Sequence, residues 1–125
     1  MMQAKTFEDM EVWQDARGFV KLIYIASANR EFAKDFGLRD QIRRAAASIM
    51  SNIAEGLERQ TNKEFAQFLY IAKASAAEIR SQLYVALDLN YIDRASFEQL
   101  NNKAVSIARQ LSGFIKHLKQ REVNR

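Results

Sequence analysis

The stretch Leu38–Arg59, LRDQIRRAAASIMSNIAEGLER, decides how the rest of the chain is read. Leu38, Ile42, Ala45, Ala46, Ile49, Ile53 and Leu57 recur at the three-and-four spacing of a helix with one core-facing stripe. Two different flanks border that stripe. Ala47, Met50 and Ala54 lie with Arg43 on one side, and this small, soft flank predicts contact with another copy of the chain. Gln41, Ser48, Asn52 and Arg59 form the other, polar edge, which is expected to orient the junction with the next helix. Asn52 there is expected to satisfy a backbone or side-chain partner and not to hold a ligand.

Working outward, the pattern predicts four helices, at about residues 8–29, 38–58, 62–88 and 94–121. Thr6 is the expected cap of the first, with Glu8, Asp9 and Glu11 at the positive end of its dipole. Its stripe is Val12, Ala16, Phe19, Ile23 and Ala26, with Trp13, Val20 and Tyr24 alongside. The following segment, REFAKDFG, reads as a connection that Gly37 turns into the second helix. Thr61 and Glu64 make a capping box for the third helix, in which Glu64 should reach back to the cap amide. Phe65, Phe68, Leu69, Ala72, Ala76, Ile79, Leu83, Ala86 and Leu87 form that helix's inner stripe. Tyr70, Ile71, Ala74, Ala77, Val85 and Leu89 make most of its other side apolar too. A helix apolar nearly all round needs burial on both sides, so Tyr70, Ala74 and Ala77 join Arg43, Ala47, Met50 and Ala54 as expected oligomer-interface residues. Asn90 and Tyr91 make a tight connection, Asp93 caps the fourth helix, and Phe97, Leu100, Ala104, Ile107, Leu111, Phe114 and Leu118 carry its stripe. Short connections favour an antiparallel up-down-up-down bundle in a single domain spanning 1–125.

Composition narrows the function classes. The 125 residues include four Gly, no Pro and no Cys, which argues against a turn-rich β architecture, disulfides, thiolate chemistry and Cys-ligated zinc. No apolar run approaches a membrane span, the N-terminal residues turn acidic before any signal-peptide core could form, and a cytoplasmic location is expected. The formal charge is +4, from 19 Lys and Arg against 15 Asp and Glu. Catalytic parts are missing: with His117 the one histidine, a bundle di-metal site of paired Glu-x-x-His motifs cannot form. Glu55, Glu58, Glu64 and Glu78 read as capping, dipole and ion-pair residues. No phosphate-binding Gly loop or nucleophile motif occurs, so the chain reads as a non-enzyme without cofactor or metal. Trp13 and Tyr24, beside a core stripe, read as packed residues and not as base-stacking ones.

Cations offer the better lead. Arg109 and Lys116 lie a heptad apart on the polar side of the fourth helix, followed by Lys119, Arg121 and Arg125. They can supply phosphate contacts, which give affinity without reading sequence. Arg109, Lys116, Lys119 and Arg121 are therefore the expected nucleic-acid-binding residues, for RNA or DNA. Arg39, Arg43 and Arg44 fit an interface role better.

Three segments together resemble a known family: FEDMEVWQDA at 7–16, FGLRDQIRRAAASIMSNIAEG at 36–56, and KEFAQFLYIAKASAAEIRSQLYVAL at 63–87. They are similar to the four-helix bundle proteins also known as 23S rRNA intervening-sequence proteins. The likeness implies a small bacterial protein whose up-down bundles assemble into a barrel-shaped homopentamer. Accessory proteins of diversity-generating retroelements are similar, which implies binding to nucleic acid and to a partner reverse transcriptase. A protein-protein scaffold without a nucleic-acid role is the alternative. Where the resembled pattern usually has SIPSN, this chain carries Met50 in place of the helix-kinking proline.

Overall fold

The structure, a computed structural model, describes residues 6–123, with side chains to residue 121. It is all-helical, with no strand among the described residues: α1 spans Glu11–Ser27, α2 Arg30–Lys34, α3 Phe36–Leu57, α4 Asn62–Asp88 and α5 Arg94–Val123. One hydrophobic cluster draws on all five helices, as a bundle-like packing requires.

The entry into α1 differs from the expected Thr6 cap. Phe7–Asp9 forms a single 3-10 turn, the Thr6 hydroxyl makes no capping bond, and α1 starts after an extended Met10. Burial explains the delay. Met10 is wholly enclosed, and Phe7 packs on Trp13 with ring centroids 4.9 Å apart, so the chain first inserts a plug of apolar side chains and then begins the helix.

The connection after α1 is also more ordered than its sequence suggests. REFAK folds as α2, and the left-handed residue is Arg30 at φ 33°. Gly37 does not make the turn; it lies inside α3. Asp35 starts α3 instead, its carboxylate accepting the Leu38 amide at 3.2 Å. The same carboxylate accepts the Tyr91 hydroxyl at 3.0 Å, and this bond to an anion raises the Tyr91 pKa. Phe32, buried beneath, stacks on Tyr91 at 5.4 Å. These contacts tie the α2 corner to the end of α4, where Asn90 at φ 62° allows the Tyr91 amide to bond Ala86 and the Asn90 amide to bond Leu87.

Thr61 caps α4 as expected, accepting the Glu64 amide at 3.1 Å. The return half of the box is different: the Thr61 hydroxyl donates to the Glu64 carboxylate at 3.0 Å. Asp93 accepts the Ser96 amide at 2.8 Å at the start of α5, which holds the Asp93 carboxyl below its usual range. The buried stripes follow the sequence reading except at their edges. Ile115 takes the core position expected of Phe114, which instead lies half-buried against Phe65. Ser75 and Gln82 join the buried side of α4, while Phe68 is half-buried.

Helices α3 and α4 approach closely at Gly56. A Cβ there would stand 2.8 Å from Cδ1 of Phe65 and 3.0 Å from Cβ of Phe68. Higher up, the Ser75 hydroxyl donates to Ser48 at 3.1 Å, and the Asn52 carboxamide donates to the Ser48 carbonyl and hydroxyl at 2.8 and 2.9 Å. Arg59 lies 4.6 Å over the Phe68 ring, so Ser48 and Arg59 of the polar edge contact α4, while the Asn52 bonds stay within α3. Gly56→Ala is expected to destabilise the fold by about 1–3 kcal/mol, because Phe68 Cβ cannot swing away. Gly113→Ala, which meets nothing within 4 Å, should stabilise it by about 0.5–1 kcal/mol. Thermal and urea melts followed by circular dichroism read both, and an unchanged Gly56→Ala midpoint would contradict the close-approach account.

Candidate nucleic-acid interface

On α4, Lys63, Tyr70, Lys73 and Arg80 recur at steps of seven, three and seven, which places them along one edge of the helix. That edge borders α5. Arg80 Nε donates to the Asn101 side chain at 3.1 Å, and the Tyr84–Phe97 and Phe65–Phe114 ring pairs lie 4.7 and 5.2 Å apart. These contacts follow opposite residue orders on the two helices. Three cavities of about 570, 590 and 200 Å³ follow this seam.

Lys73, Arg80 and Arg109 line the first; Tyr70, Lys73, Lys116 and Lys119 line the second; Lys63, Tyr70 and Lys119 line the third. The floor is apolar, from Ala66, Ala108, Ile115 and Leu118. No Asp or Glu lines any of the three. The ion pairs Lys34–Glu31 and Arg39–Asp40 lie far from this groove in the chain. The groove walls described by these cavities thus carry cations and no carboxylate.

Three of the expected nucleic-acid-binding residues, Arg109, Lys116 and Lys119, come together here. Arg121 does not line the groove; it lies about three turns beyond Gln110, whose carboxamide reaches Asp15 of α1 at 2.9 Å. Arg125 is outside the described residues. Lys73 and Arg80 were missed by the sequence reading, although their spacing from Lys63 and Tyr70 on α4 was visible.

The expected interface residues divide. Arg43 bonds within its own chain: Nε donates to the Ser27 hydroxyl at 2.7 Å, Nη2 to the Tyr24 carbonyl at 3.3 Å, and the guanidinium lies 4.6 Å over the Tyr24 ring. Met50 and Ala54 pack against the core, and Ala47 is half-buried. Tyr70 sits in the groove with the Lys119 ammonium 5.0 Å over its ring. Ala77 is exposed one turn from Lys73 and Arg80. Ala74 is exposed one turn from the exposed Ile71, with the exposed Val85 and Leu89 on the same side further along the helix. Trp13 is packed as expected, whereas Tyr24 is about half exposed beneath Arg43.

Other chemistry finds little support in the geometry. Among the described residues no group of three or more His, Asp or Glu side chains is placed to hold a metal ion. His117 is half-buried, its Nε2 without a partner. Among the described residues no helix is long and apolar enough to cross a membrane.

Fold and site define a class, the small all-helical bundle with a cation-lined groove between its last two helices. The chain belongs to the 23S rRNA-intervening sequence protein family, whose sequence profile matches residues 8–113. It is also similar to the crystal structure of a protein of unknown function from the S23 ribosomal protein family of Bacteroides thetaiotaomicron VPI-5482. The two are 30% identical, with a TM-score of 0.78 over 84% of this chain and 98% of the other. A comparison with curated proteins gives no match.

The Arg43 contacts separate two roles for that residue. Arg43→Ala is expected to cost about 1–2 kcal/mol of stability, since it removes charge-assisted bonds to Ser27 and Tyr24. It should leave the mass measured by light scattering unchanged. A change of mass without loss of stability would return Arg43 to a subunit interface.

Proposed function

We propose that this protein is a non-catalytic accessory that binds RNA or DNA through the α4–α5 groove. The observation that carries this reading is the row of cations Lys63, Lys73, Arg80, Arg109, Lys116 and Lys119 with no carboxylate among the groove-lining residues. Isolated surface lysines are common, but a shared groove lined from two helices gives phosphates a continuous path. The family name, which refers to a segment within 23S rRNA, is in keeping with such a ligand.

If phosphates bind here, log affinity for a structured RNA should fall linearly with log salt, at about 0.7 to 0.9 per neutralised phosphate. Replacing Arg109, Lys116 and Lys119 together by Ala should flatten that slope by about 2. Filter binding or fluorescence anisotropy across a salt series measures it, and an unchanged slope would place the contacts on another face.

The second part of the reading is assembly. The opposite contact order of α4 and α5 supports an antiparallel up-down-up-down arrangement, and Ile71, Ala74, Val85 and Leu89 lie exposed along one side of α4, interspersed with the exposed Glu78 and Ser81. Such bundles would join as a ring-like homo-oligomer, a pentamer by resemblance. The same face would serve the scaffold alternative, including capture of a reverse transcriptase. Ala74→Glu is expected to dissociate the assembly while leaving helicity intact. Light scattering reads the outcome, and a wild-type mass of one chain at working concentration would remove the oligomer from the proposal.

A further inference from the structure

We infer that the α4–α5 groove takes a single strand of nucleic acid, with Tyr70 as the platform on which one base stacks. This rests on the nucleic-acid reading above and adds the form of the ligand and a residue outside the cation set.

Tyr70 is 44% exposed, and its ring opens into the two cavities nearest the C-terminal part of α5. An exposed aromatic in a cation-lined trough is what a duplex cannot use, because its bases are already stacked and its outer surface is phosphate. A single strand has both parts free. Its phosphates meet cations on either rim of the trough, Lys63 and Lys73 from α4 and Lys116 and Lys119 from α5, while an unstacked base gains the aromatic face and an apolar floor. The cavity beside Tyr70 measures about 590 Å³ and is floored by Ile115, room of the order of a small-molecule site.

Lys119 explains how the site waits. Its ammonium lies 5.0 Å over the Tyr70 ring, a cation–π contact that covers the face with the end of a long, exposed side chain. An arriving base replaces the ammonium on the ring, and the ammonium moves to a phosphate of the same strand. The exchange swaps one favourable contact for two and leaves no charge stranded. From Lys63 to Arg80 the α4 rim extends about 26 Å at 1.5 Å per residue, so several nucleotides lie in the groove while one base reaches Tyr70.

Fluorescence anisotropy with labelled 12-mer single-stranded RNA, single-stranded DNA of the same sequence, and the corresponding duplexes tests this. The wild-type protein should prefer either single strand over its duplex by tenfold or more at equal salt. Tyr70→Ala should weaken single-strand binding about 5- to 100-fold, with the salt slope unchanged. Tyr70→Phe, which keeps the ring, should retain affinity and guards against a folding defect, as does an unaltered circular dichroism melt for both variants. Equal affinity for duplex and single strand, or an indifferent Tyr70→Ala, would overturn the single-strand proposal while leaving nucleic-acid binding in place. Absence of salt-dependent binding to every probe would defeat both.

Discussion

The close approach of α3 to α4 at Gly56 is the constraint on which the other contacts depend. With Cβ-sized space already occupied by Phe65 and Phe68, any side chain at this end of the pair would push the two helices or those rings apart. At the other end the Ser75 hydroxyl of α4 donates to Ser48 of α3 across the same seam, and Asn52 donates to that Ser48 from within α3. One contact fixes distance and the other fixes register, because a slide along the axis would strand polar groups that are partly buried. With α4 thus positioned, its far edge presents Lys63, Tyr70, Lys73 and Arg80 to α5. The groove is a consequence of packing made on the opposite side of the helix.

Each long helix consequently divides its circumference among neighbours. α3 turns its apolar stripe inward, its Ser48–Asn52 edge to α4, and its Arg43 side to the end of α1. There Arg43 meets the Tyr24 carbonyl near the α1 C-terminus, where a helix dipole favours a cation, while Ser27, wholly buried, donates to the Ile23 carbonyl and accepts from Arg43. A buried hydroxyl satisfied in both directions makes this corner tolerant of little change. α5 bonds to α1 through Gln110 and Asp15 and to α4 through Asn101 and Arg80. Its two polar edges therefore have different fates, which is why Arg109, Lys116 and Lys119 share a groove and Arg121 does not.

Periodicity carried most of the fold. The stripes of α1, α3, α4 and α5, the Thr61 and Asp93 caps and the family likeness were legible because each depends on local spacing or short-range chemistry. Three kinds of feature were not. The Met10 plug and α2 arise from tertiary burial of Met10 and Phe32, which no local propensity signals. The role of Gly56 depends on which helix lies opposite, so an in-helix glycine reads as a mere weakness until Phe65 and Phe68 are in place. The groove was half visible: the α5 cations stood out on a polar face, but Lys73 and Arg80 were hidden by the apolar reading of α4, and that same reading of a helix apolar nearly all round assigned Tyr70 to a subunit contact. A charged residue on a largely apolar helix face is informative only when the adjoining helix supplies more of the same sign.

Met50 shows how the two ends of α3 are coupled. Arg43 must reach Ser27 while Gly56 meets Phe65, and the residues between them span about 20 Å of uninterrupted helix. The resembled pattern has proline at the position of Met50, which would remove an amide from the helix ladder and invite a bend. A kink of 20° acting over the about 10 Å from residue 50 to residue 43 would displace Arg43 by about 4 Å, enough to break a 2.7 Å bond to Ser27 unless α1 moved as well. Methionine removes that demand and also fills the flank against the core with a flexible apolar chain. In this chain, then, a continuous α3 transmits the fixed geometry of the α3–α4 seam to α1, and α1 in turn holds the far side of α5 through Asp15. The groove cations are thereby set on a helix braced from both sides, so the charge and shape of the groove are fixed by the packing of the bundle itself.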